Sequence, residues 1–190
     1  MPILGIIASS LPAAAGDFES IATVSVGGGG AANVEFTSIP ATYTHLQVRA
    51  IMRCTTAATG TSDLFLTMNS DTGSNYSYHL LQGNGASVAA AGAATQTKIS
   101  MQNSIPRANA TASVFGASVI DILDYANTNK YKTTRSLNGA NQNDTNDAFR
   151  ILFFSGLWQS TSAITSLKLA PEADNFAQYS HFALYGIKGA

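Results

Sequence analysis

A chain of 190 residues is long enough for one domain with a substantial core and short for two of ordinary size. Its 10 basic and 11 acidic residues leave a net charge of −1, so it has no cationic footprint for direct nucleic-acid binding or for anionic lipid. Charged residues make up only 11% of the sequence, less than half the roughly 25% of a typical soluble domain, so the surface must be neutral and polar, or partly covered by partners.

The chain opens MPILGIIASSLPAAAG. A secretory leader needs a basic region before its apolar core, and the first basic residue here is Arg49. A spanning helix needs about 20 apolar residues, whereas the run from Ile3 to Ala8 is broken by Gly5; membrane insertion is not expected. Residues 1–17 therefore read as an extended docking arm. Ile3, Leu4, Ile6, Ile7 and Leu11 are its anchoring side chains, and its first sixteen residues reach about 50 Å at ~3.3 Å per residue.

From residue 18 to residue 190 the dominant pattern has period two. Short strands are predicted at about 20–26 and 33–38, separated by the glycines of SVGGGGAANV. In THLQVRAIMR, Leu46, Val48, Ala50 and Met52 alternate with His45, Gln47, Arg49 and Arg53, the signature of a strand with one buried face. DLFLTMN repeats it with Leu64, Leu66 and Met68. NSDTGSN, QGNGAS, SLNGANQNDTND and FSGLWQS read as turns or loops, and AAAGAATQT, with no apolar stripe, reads as a loop too. Near the end, NFAQYSHFALYGIKG sets Phe176, Phe182 and Leu184 on one face and Tyr179, Ala183, Tyr185 and Ile187 on the other. Such a two-faced strand belongs inside a sheet or at a subunit contact. Ten or eleven short strands with glycine-rich turns predict an all-β protein, an antiparallel β-sandwich of jelly-roll type.

Catalytic constellations are missing from this pattern. His45, His79 and His181 each sit in a strand-like run without a second ligand at metal spacing. Asp121 and Asp124 in VIDILDY point to opposite faces of a strand, and so cannot flank one glycosidic bond. FGASVI lacks the second glycine of a nucleophile elbow. NSDTGSN and NQNDTND offer oxygens to a calcium ion but not the twelve-residue spacing of a calcium loop. Cys54, the single cysteine, excludes an internal disulfide and reads as a small buried hydrophobe. Neither an enzymatic activity nor a cofactor is expected. Among Tyr76, Tyr78, Tyr125, Tyr131 and Trp158, a sugar-stacking platform is conceivable, and Tyr76, Tyr78 and Trp158 are the candidate glycan contacts.

The segments SIPATYTHLQVRAIMR, NSDTGSNYSYHLLQGNG, IDILDYANTNKYKTTRSLNG, SGLWQSTSAITSLKL and NFAQYSHFALYGIKGA together resemble a family of short proteins encoded in tailed-bacteriophage genomes, described as tail-fibre or other virion structural proteins. The resemblance runs from Phe18 to Gly189. It implies a place in the virion, a homotrimer, and partners among the major capsid protein or the tail and baseplate proteins; it assigns no catalytic residue. A free-standing fibre should carry heptads or collagen-like triplets for a shaft, and neither is present. The expectation is a capsid decoration protein, cement or short head fibre, anchored by its arm. The alternative is a tail-fibre or baseplate adhesin that recognises host surface polysaccharide.

Overall fold

The computed structural model describes residues 16–141 and 150–189. The anchoring residues Ile3, Leu4, Ile6, Ile7 and Leu11 lie outside these residues, as does most of NQNDTND. The described residues form twelve strands and no helix: β1 (Phe18–Ser25), β2 (Val34–Phe36), β3 (His45–Met52), β4 (Thr61–Met68), β5 (Tyr76–Gly83), β6 (Val88–Gln96), β7 (Ile99–Pro106), β8 (Gly116–Leu123), β9 (Lys132–Ala140), β10 (Arg150–Trp158), β11 (Leu167–Pro171) and β12 (His181–Ile187). They build two antiparallel sheets, an eight-stranded one in the order β1-β12-β3-β8-β9-β10-β5-β6 and a four-stranded one in the order β2-β11-β4-β7.

The alternation read from the sequence is the alternation of the core. Leu46, Val48, Ala50 and Met52 of β3 point inward, and Leu64, Leu66 and Met68 of β4 meet them from the smaller sheet. Phe154 of β10, Ile120 and Ile122 of β8, and Phe182 and Leu184 of β12 complete the centre of this core. Burying one such side chain is worth about 1.5–3 kcal/mol, which is why the register is fixed: a one-residue slip would turn every member outward. Strand β12 lies inside the large sheet between β1 and β3.

Four expectations are corrected. SLNGANQNDTND does not begin as a turn or loop, because Ser136 to Ala140 finish β9. AAAGAATQT is not a loop; it falls mostly in β6, the last strand of the large sheet, and β6 pairs with β5 through the backbone without needing an apolar stripe. FSGLWQS is not a turn, because Phe154 to Trp158 finish β10. Gly156 misleads here: a Cβ on it would stand 2.5 Å from Thr134 Oγ1 and 2.8 Å from Ile99 Cδ1, so a buried strand position demands the glycine. Phe176, assigned to the last strand, precedes it and makes backbone bridges to Ala31 and Cys54.

Two hairpins, β5–β6 and β9–β10, lie side by side at one end of the large sheet and account for its greater width. Set aside, they leave four strands in each sheet. The chain then crosses between sheets at β1 to β2, β2 to β3, β3 to β4, β7 to β8, β8 to β11 and β11 to β12.

Candidate functional site

The three candidate glycan contacts are core residues. Tyr76, Tyr78 and Trp158 are 1%, 7% and 2% exposed, so no ring face is open to a sugar, and this assignment is corrected. Tyr76 and Trp158 face each other across β5 and β10, with centroids 6.3 Å apart and planes 18° from parallel. The Trp158 indole Nε1 donates to Asp71 Oδ2 at 2.7 Å, and the Tyr78 hydroxyl accepts from Gln102 Nε2. Asp71 also accepts from the Gly73 amide and from Asn75 Nδ2, so NSDTGSN is a turn wound around one carboxylate. These bonds, led by the indole, hold the Asp71 carboxyl below the usual carboxylate range. Tyr125 is fully buried too, and of the five aromatics only Tyr131 is exposed.

The polar groups that chemistry could use are dispersed or already engaged. His45 Nδ1 accepts from the Asp124 amide, while His79 and His181 stand on the outer side of the large sheet. Asp121 accepts from Gln47 Nε2, and Asp124, in the turn after β8, accepts from Lys130 Nζ. Arg53 spends its guanidinium on the carbonyls of Ala108, Ala110, Thr111 and Val114. Lys132, wholly buried, donates to the carbonyls of Asn127, Lys130 and Thr161. Among the described residues no three His, Cys, Asp or Glu side chains gather where they could hold a metal ion.

What the fold does expose is apolar. On the outer side of the large sheet the register aligns two rows across six strands. One runs Val88, Gly83, Ile151, Gly139, Ala117, Ile51; the next runs Ala90, Leu81, Phe153, Leu137, Val119, Arg49. Ile151 is 62% exposed, Leu81 54%, Phe153 53%, Ile51 53% and Leu137 49%. Arg49 closes the second row, its guanidinium over the rings of Phe18 and Tyr185. A third row, Gly92, His79, Ser155, Arg135, Asp121, Gln47, is polar. Single exposed hydrophobic residues are ordinary, but a contiguous apolar patch with a polar rim marks a contact surface. Hollows of ≈ 430, ≈ 350, ≈ 240 and ≈ 350 Å³ lie along this face, between the projecting side chains.

Sequence reasoning missed this face. Its signal was the run RILFF in β10, where Ile151 and Phe153 alternate with the buried Leu152 and Phe154, making both sides apolar. No protein-family model, curated protein or solved structure matches the chain.

Proposed function

We propose that this chain is a non-enzymatic structural protein of a tailed-bacteriophage particle, a surface decoration protein that works by assembly and is held to a neighbouring virion protein by its N-terminal segment. The observation that carries this reading is the apolar outer face: six strands of a rigid, weakly charged sandwich present aliphatic and aromatic side chains to solvent in register. A face of this kind is satisfied by a protein surface and not by a small substrate. The winding supports the same reading. With the two inserted hairpins set aside, the sheets β1-β12-β3-β8 and β2-β11-β4-β7 are what we read as a jelly roll, an architecture common in viral capsid proteins. Fold alone carries no function, so the weight rests on the face and on the family resemblance of the sequence.

The adhesin alternative loses its aromatic contacts to the core and has no other observation in its favour. Quantitative mass spectrometry of purified particles from a phage encoding this chain tests the proposal. Copies comparable in number to the major capsid protein are expected. A handful of copies per particle moves the protein to the tail, and its absence from particles overturns the reading.

A further inference from the structure

The reading of this chain as an assembly protein leaves open what covers its apolar face. Resting on that reading, we propose that the face is a contact between two copies of this chain, packed sheet against sheet about a two-fold axis that runs along the strands over the line between β9 and β10.

Symmetry of the patch carries the argument. The six strands that bear it, β3-β8-β9-β10-β5-β6, are centred on the β9–β10 pair. Rotation about an axis along that line exchanges β9 with β10, β8 with β5 and β3 with β6. Because cross-strand partners are in register, each side chain then meets the mirror position of its own row. Ile151 of one copy falls over Gly139 of the other, since the two are direct partners across β9 and β10. A Cβ added at Gly139 would meet nothing within 4 Å, so the place over it is empty, whereas one at Gly83, on the other side of Ile151, would stand 3.7 Å from Ile151 Cγ2. The same operation sets Leu137 against Phe153, Val119 against Leu81 and Ile51 against Val88: bulk is matched by bulk at the centre and apolar by apolar at the ends of the first row, while at the ends of the second Arg49 falls over Ala90. In the polar row it sets Arg135 against Ser155 and Asp121 against His79, so no charge meets its like.

Packing of this kind is ordinary between sheets. Two faces stack about 10 Å apart with strand directions within ~30° of one another, and a two-fold contact reuses one patch on both partners. Three rows on six strands span about 29 Å by about 20 Å, a footprint of roughly 600 Å² before side-chain relief is added, close to the ~800 Å² each partner gives to a standard interface. Other occupants fit less well. The two apolar rows hold one cation, Arg49, already stacked on two rings, which suits neither a phosphate backbone nor an anionic membrane.

The test is the mass of the full-length chain by sedimentation equilibrium, from micromolar to millimolar concentration. The expected particle holds two chains, where the family resemblance implies three. Leu137→Glu and Ile151→Glu each bury a carboxylate against an apolar partner and should weaken pairing about 100-fold or more. Both positions are exposed, so circular dichroism of the variants should match the parent, and their melting should match that of the parent diluted below its pairing range. The double substitution Ile6→Asp, Ile7→Asp should leave the pair intact, because the N-terminal segment is not the occupant. A monomer at all concentrations, a pair indifferent to both face substitutions, or a pair broken by the N-terminal substitutions overturns the proposal. A monomer that still attaches to phage particles ends this inference and spares the function; a face-paired dimer absent from every particle does the reverse.

Discussion

Replacing Tyr76 by phenylalanine should remove part of the protein's sensitivity to alkali. The Tyr76 hydroxyl, 1% exposed as a residue, accepts from the Met68 amide at 3.1 Å and lies within donor distance of the Asp71 and Met68 carbonyls. Burial pushes its pKa up to about 12, while in the unfolded chain the phenol titrates near 10. The folded state therefore keeps a proton that the unfolded state releases. The stabilisation is complete below pH ~10 and is lost as pH rises to ~12, a change of roughly 2–3 kcal/mol over two pH units. Phenylalanine keeps the ring stacked on Trp158 but leaves the Met68 amide without this acceptor, costing about 1–3 kcal/mol at neutral pH. The two stability curves should start apart and converge by the top of the range. Urea unfolding at fixed protein concentration measures them, followed by the fluorescence of Trp158, the only tryptophan and the stacking partner of Tyr76. Tyr43 and Tyr125 also have raised pKa values, but both proteins share them, so the difference isolates Tyr76. Parallel curves up to pH ~12 would refute the reasoning.

Two further substitutions test the cations that bind backbone carbonyls. Lys132→Met should cost about 2–4 kcal/mol in urea unfolding, because three carbonyls lose a charge-assisted donor while the relief of burying an ammonium offsets only part of the loss. Desolvation lowers the Lys132 pKa, so the parent should gain stability as pH rises from that lowered value towards the unfolded ~10.5, and the methionine variant should lack this gain. Arg53→Lys should loosen residues 107–115, since a single ammonium cannot span the four carbonyls that the guanidinium joins; faster amide exchange confined to that loop is the expected result, with unchanged exchange counting against it.

Where the sequence carried a side-chain signal, the fold was legible in it. The alternations of β3 and β4 named the buried residues one by one, since a half-buried strand must write its two faces into the chain. β6 could not be read this way. Its alanines and Gly92 sit at the end of the sheet beyond the cover of the smaller one, held by backbone pairing to β5 with little side-chain burial. Trp158 was misplaced because Gly156 beside it looked like a turn, and the crowding by Ile99 and Thr134 that requires glycine there comes from strands distant in sequence. The outer face was hidden for a related reason. Leu81, Phe153, Leu137 and Val119 belong to four strands, and nothing local announces that β5 will lie beside β10 or that their outward residues will align.

The position of β12 has a consequence for how the molecule is made. It lies between β1 and β3, pairing Phe18 with Ile187 on one side and His45 with Ile187 on the other. Made before every other strand of its sheet, β1 finds no sheet partner until β12 follows, roughly ten to thirty seconds later at ~5–20 residues per second. For that interval one edge of β3 and the whole of β1 carry unpaired amides and carbonyls on a chain with few charges to keep it apart from its neighbours. The sheet cannot close while its strands are still being made; its last-made strand is the one that joins the first to the rest, so its closure waits on β12, and a chaperone's protection is needed most just before that strand appears.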